Sequence, residues 1–134
     1  MSSMADVYVV IYRNRGLYNH WSLFIDGPTE EEKLILHIVG SSTRYRFEVR
    51  DSNAHKSGSL IEKIELCQVD ASKTADIHRI AEQQTIHNEA PGFNCQDYVL
   101  ELLGSLENSG IIDETDPEYM KQKEIVKSKQ EGLP

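Results

Sequence analysis

The feature that most constrains this chain is the helix start at Asn94-Cys95-Gln96-Asp97-Tyr98-Val99, read with the strand-like run Asn19-His20-Trp21-Ser22-Leu23-Phe24-Ile25 far upstream. Pro91-Gly92 breaks the chain just ahead of the helix, and Asn94 is a favourable N-cap residue. From Cys95 onward, Tyr98, Val99, Leu102, Leu103 and Leu106 recur at helical spacing, so the helix begins at the cysteine. A thiol there meets unpaired backbone N–H groups and the positive end of the helix dipole. Both favour the thiolate, so a depressed thiol pKa is expected.

The rest of the chain divides into strands first and helices afterwards. Runs at 6–12, 20–26, 34–39, 45–50 and 61–69 read as five strands. In the second, Trp21, Leu23 and Ile25 share one face and His20, Ser22 and Phe24 the other. In the fifth, Cys67 is expected on the face of Ile61, as packing rather than chemistry. Ser72 caps a helix to about Ile86, the cysteine helix ends near Asn108-Ser109-Gly110, and Asp116-Pro117 opens a third helix to about Gln130. That last helix is mostly charged, with Tyr119, Ile125 and Val126 as anchors, so weak packing or fraying is expected. The pattern predicts a single α+β domain over 1–134 with an antiparallel sheet of about five strands and a peripheral C-terminal helix over 111–134.

Charge narrows the partners. Residues 1–60 carry seven basic and seven acidic side chains, and the remainder seven against fifteen, so the net charge of −8 lies in the second half. An acidic half repels phosphate backbones and argues against nucleic-acid binding. There is no apolar run long enough to span a bilayer and no signal-peptide pattern, so a cytoplasmic protein without stable membrane insertion is expected. Two cysteines, Cys67 and Cys95, do not make a disulfide scaffold. His78 and His87, nine residues apart, would fall on opposite sides of one helix, and His55 lies in a loop. No zinc pattern results, and no metal or organic cofactor is expected.

The motifs His20-Trp21-Ser22-Leu23-Phe24-Ile25-Asp26-Gly27, Leu36-His37 and Asn94-Cys95-Gln96-Asp97-Tyr98-Val99 resemble the lecithin:retinol acyltransferase-like family, together with Ile11-Tyr12-Arg13 and Tyr18. That family belongs to the circularly permuted papain-fold superfamily, which includes NlpC-type peptidases and small isopeptidases. The permutation fits the order here, histidines before cysteine, the reverse of papain. The resemblance implies Cys95 as nucleophile, His20 as base and His37 as the third polar residue. The chain departs from the family at Asp97, where a histidine is usual, and at Tyr98. It ends in a charged helix and Gly132-Leu133-Pro134 where the animal acyltransferases carry a hydrophobic anchor, which favours a soluble substrate.

The function expected is therefore a thiol hydrolase or acyltransferase working through a thioester. Its substrate is a small-molecule or peptide acyl compound: an amide, isopeptide, ester or thioester. Phospholipid acyl transfer, or a binding module that keeps the fold without turnover, is the alternative. The Cys95 N–H is the natural first donor to an oxyanion. Tyr12, Tyr18 and Asn19 are candidates for the second donor or for substrate contact, and the sequence does not choose among them. Asp97 is expected to complete a capping interaction with Asn94. Arg13 and Arg15 read as solvated turn residues, with contact to a substrate carboxylate or phosphate as the minority reading.

Overall fold

The computed structural model describes residues 3–14 and 18–131. Arg15 and Gly16 of the expected turn, and Gly132-Leu133-Pro134, lie outside the described residues. Five strands, β1 (Met4–Tyr12), β2 (His20–Asp26), β3 (Lys33–Val39), β4 (Arg46–Arg50) and β5 (Leu60–Asp70), precede three helices, α1 (Thr74–Gln83), α2 (Cys95–Asn108) and α3 (Pro117–Ser128). The strands form one sheet in the order β4-β3-β2-β1-β5, each neighbouring pair antiparallel. The α+β class and the five-stranded antiparallel sheet are thus as the sequence pattern predicts.

Period-two alternation decides which side chains meet the helices. On one face Val7, Val9 and Ile11 of β1, Trp21, Leu23 and Ile25 of β2, and Leu36 and Ile38 of β3 join the α2 stripe Tyr98, Val99, Leu102, Leu103 and Leu106 in the main core. All five stripe residues are fully buried. Truncating any one of the three leucines to Ala would cost about 2–5 kcal/mol. Tyr98 also donates from its hydroxyl to the Ala81 carbonyl (2.6 Å), tying α2 to α1.

The opposite face holds a small cluster of Val10, Phe24, Ile35 and Ala54, flanked by Tyr8, Tyr12 and Leu60. Alternation continues the β2 row outward through Ser22 to His20, and the β3 row to His37. On this face β1 meets β2 at Tyr12↔His20, and β3 meets β4 at His37↔Glu48. Four adjacent strands therefore carry a polar row: Tyr12, His20, His37, Glu48.

Three expectations change. The helix expected from Ser72 to Ile86 ends at Gln83, because Gln84 turns extended (ψ 131°). In β5 a bulge falls between the Val7↔Cys67 and Tyr8↔Glu65 pairs, so Leu66 is the extra residue. The bulge resets the alternation: Cys67 packs against the main core while Ile61 is 47% exposed, and the two do not share an environment. The third concerns α3, which lies peripherally against β5 yet is firmly seated. Tyr119 and Val126 are fully buried, and Glu107 accepts from the Tyr119 hydroxyl and the Lys123 ammonium, each at 2.5 Å. Ile125, expected as an anchor, is 36% exposed.

Candidate active site

The α2 start forms as its sequence dictates. Asn94 is extended (φ −146°), its side chain accepts from the Gln96 N–H (2.8 Å), and Asp97 reaches back to the Asn94 N–H (3.0 Å). This is the capping box that Asn94 and Asp97 predict. It fixes the direction in which the first helical residue, Cys95, leaves the turn.

Cys95 is 2% exposed, and its Sγ lies 3.9 Å from the Asn19 carbonyl oxygen. The backbone N–H groups of Trp21, Cys95 and Gln96 each act to lower the thiol pKa. Asn19, the residue before His20, accepts a hydrogen bond from the thiol, and the N–H of Trp21, the residue after it, lowers the thiol pKa. Tyr12, Tyr18, His20, His37, Tyr45 and Cys95 all line one cavity of about 580 Å³. That volume is of ligand size.

The imidazoles form a relay. His20 Nε2 lies 2.7 Å from His37 Nδ1, and His37 Nε2 lies 2.9 Å from Glu48 Oε1. Glu48 in turn accepts from Arg50 Nε at 2.6 Å. An ionised carboxylate can only accept, so the proton sits on His37 Nε2 and His37 Nδ1 is an acceptor. His20 must then donate from Nε2, and its Nδ1 carries the lone pair. The hydrogen-bond chain therefore selects the His20 tautomer with a free basic nitrogen.

Both rings are neutral near pH 7. Burial, reinforced by His37 and Arg50, pushes His20 down to about 4. Burial also lowers His37, although Glu48 opposes it. The bonds from His37 and Arg50 hold Glu48 below the usual carboxylate range. For Cys95 the expectation is reversed: burial pushes the thiol up to about 11, with Asp97 adding to the rise, against three backbone N–H groups that lower it. The helix start acts in the expected direction, but loss of water outweighs it. The resting pair is a neutral thiol and a neutral imidazole.

The remaining candidates separate. Tyr12 donates to or accepts from Ser22 Oγ at 2.8 Å beside His20, their ring centroids 5.6 Å apart. Tyr18 shares a hydroxyl–hydroxyl bond with Tyr45. Asn19 contributes its backbone instead of its side chain: its carbonyl accepts from Gln96 Nε2 (3.0 Å) and from Cys95, and its N–H donates to Glu131 (2.9 Å). Through its backbone Asn19 frames the site. Cys67 is half-buried against the core, and its thiol is pushed up to about 12 by that burial and by nearby Asp116 and Glu65. Among the described residues no group of three or more His, Cys, Asp or Glu side chains is arranged to hold a metal ion.

Sequence reasoning missed Glu48, Tyr45, Gln96 and Glu131. Glu48 was recoverable, because a β3–β4 hairpin turning over 40–45 sets it opposite His37. Tyr45 is brought to the site by Asn88, which accepts from the Tyr45 N–H (2.9 Å) and donates to its carbonyl (3.0 Å). Glu131 returns from beyond α3, its N–H donating to Gln96 Oε1 (2.8 Å).

These features define the class: a small α+β protein whose antiparallel sheet carries a Glu–His–His hydrogen-bond chain beside a cavity that a buried cysteine at a helix start also lines. The chain belongs to DUF6540, a family of unknown function, whose model matches residues 7–113 and so includes Cys95, His20, His37 and Glu48. No curated protein and no solved structure matches it. Among the described residues no helix is long and apolar enough to cross a membrane.

Proposed function

We propose that this protein is a cysteine-dependent hydrolase or acyltransferase on a circularly permuted papain-like scaffold, similar to the lecithin:retinol acyltransferase-like enzymes and acting in the cytoplasm. The observation that carries the reading is the hydrogen-bonded chain Glu48–His37–His20, which leaves a basic nitrogen on a histidine that lines the same cavity as Cys95 and whose neighbour Asn19 accepts from the Cys95 thiol.

In the first step the Cys95 sulfur attacks the carbonyl carbon of an amide, ester or thioester while His20 Nδ1 accepts the thiol proton. Because the thiol lies near 11 and the imidazole near 4, proton transfer accompanies attack rather than preceding it. The tetrahedral intermediate collapses, the bond to the leaving group breaks, and His20 returns the proton to that group. Water or a second nucleophile, deprotonated by His20, then attacks the thioester and releases Cys95 as thiol.

The Cys95 N–H is the first oxyanion donor. The Tyr18–Tyr45 pair supplies the second, since one hydroxyl proton is used between them and the other stays free to donate. Burial and the Tyr18 hydroxyl raise the Tyr45 pKa, which keeps that donor protonated. The observation favouring a non-catalytic binding module is the depth of Cys95 and its contact with the Asn19 carbonyl.

Incubation with 4-nitrophenyl acetate, followed by intact-mass and peptide mapping, tests the reading. The expected result is a one-acetyl adduct on Cys95, followed by turnover. Acetylation only at lysines or Cys67 would overturn it.

A further inference from the structure

The cavity wall has a charge pattern that the proton relay does not use. The protein carries a net charge of −8, yet among the described residues no aspartate or glutamate lines the cavity, whereas Arg13, Arg50 and Lys56 do. Arg50 is held by Glu48 (2.6 Å). Arg13 and Lys56 have no ion-pair partner among the described residues. Each comes from an anchored segment: the Arg13 N–H donates to the Ser59 carbonyl (2.7 Å) and the Lys56 N–H to the Asn53 carbonyl (3.1 Å). The Arg13 bond joins the end of β1 to the loop that bears Lys56, so two separate stretches of chain bring cations to one wall.

A cleft with one sign of charge and low-dielectric walls concentrates ligands of the opposite sign, here against the repulsion of the whole protein. Guanidinium and ammonium groups are donors only, suited to carboxylate or phosphate oxygens. Ile35, partly open to the cavity, adds apolar wall that suits a short methylene chain.

Resting on the acyl-transfer reading above, we infer that the substrate is a small acyl compound bearing a terminal anionic oxygen group, carboxylate or phosphate, held by Arg13 and Lys56 while its carbonyl meets Cys95. The neutral donors on the same wall, Asn14, Ser52 and Ser57 among them, complete the recognition of such a group. With an ester the chemistry balances: the thiol and the ester give a thioester and the free alcohol or phenol, and water then converts the thioester to the acid and the thiol.

Three 4-nitrophenyl esters of similar length test this at pH 7: hexanoate, adipate with a free terminal carboxylate, and 5-phosphonopentanoate. The expected result is a kcat/KM at least about tenfold higher for one or both anionic esters than for hexanoate, in line with the strength of a charged hydrogen bond. The ratio should fall with added salt and approach one in the Arg13→Gln/Lys56→Gln double variant. A faster adipate assigns carboxylate, and a faster phosphonate assigns phosphate. Hexanoate turned over as fast as both anionic esters, or a preference that survives the double variant, would overturn the inference.

If no ester acylates Cys95, the enzyme reading fails by itself, and calorimetry of adipate and 5-phosphonopentanoic acid still tests the anion site. Binding that weakens at least about tenfold in the double variant supports the site, and binding that is absent or unchanged overturns it.

Discussion

Cys95 and Cys67 are two thiols of one small domain, and burial raises both, to about 11 and about 12. Their surroundings nevertheless differ in kind. Cys95 has three backbone N–H groups that lower its pKa, the Asn19 carbonyl as acceptor, and a cavity of about 580 Å³ that His20 also lines. Cys67 sits on an edge strand against the core, with Asp116 and Glu65 as its charged neighbours. Thiol pKa therefore does not tell the two apart. Partner geometry does: one sulfur opens on the cavity that the His20 ring also lines, whereas the other has carboxylates that repel a thiolate.

The largest effect should come from exchanging the two. Cys95→Ala should reduce ester turnover at least about 10³-fold, because the nucleophile is lost, while Cys67→Ala should leave the rate within about twofold. Steady-state assays of both variants, with circular dichroism to verify folding, check the contrast. Equal losses would erase it.

Along the relay, the cost should fall with distance from the sulfur. His20→Ala removes the proton acceptor and should cost about 10²–10⁴-fold. His37→Ala and Glu48→Gln act through tautomer and orientation, so each should cost less than His20→Ala. The two should also resemble each other in their pH profiles, since each frees the His20 tautomer. A Glu48→Gln variant with an unaltered pH profile would remove Glu48 from the relay.

The pH profile sharpens the same point. His20 must be neutral to accept a proton, so kcat/KM should fall on the acid side with an apparent pKa near 4, not near 6.5. Stability follows the same group. Its folded pKa is depressed below the unfolded value, so its contribution is full above about 6.5 and is lost as pH falls toward 4. On the alkaline side the raised Cys95 pKa acts in the opposite sense. Its contribution is full below about pH 9 and is lost as pH rises toward 11. Urea titrations across both windows, with His20→Gln and Cys95→Ser for comparison, read these slopes.

The smallest effect belongs to the helix cap. Asn94→Ala should destabilise by about 1 kcal/mol. It should also lower activity more than that loss predicts, because the cap sets the exit direction of Cys95. A variant with the stability loss but unchanged kcat would show that the cap holds the helix without aiming the thiol.

The parts of this site that could be read in advance are those set by local rules. Asn94 and Asp97 make a capping box by spacing alone, and the α2 stripe follows from helical period. The row His20, Ser22, Phe24 follows from strand alternation. Glu48 needed one further step, the register of the β3–β4 hairpin, where Gly40 takes φ +126° and a Cβ would meet the Arg44 carbonyl oxygen at 2.6 Å. Other features arise only in three dimensions. The bulge at Leu66 moves Cys67 to the core, and no residue type there announces it. Glu131 reaches Gln96 and Asn19 after the chain has crossed β5 as α3. Above all, the thiol pKa depends on how deeply Cys95 is covered, and no helix-start argument contains that depth.

The central claim is that Glu48 and His37 leave His20 as a neutral ring with its lone pair on Nδ1, ready to take the Cys95 proton. Nitrogen-15 NMR of the histidine side chains at pH 7 measures this directly. Two neutral imidazoles are expected for His20 and His37, both protonated at Nε2, with the His20 signals unchanged until the pH nears 4. A His20 ring protonated at Nδ1, or one already charged near pH 6.5, would contradict the account.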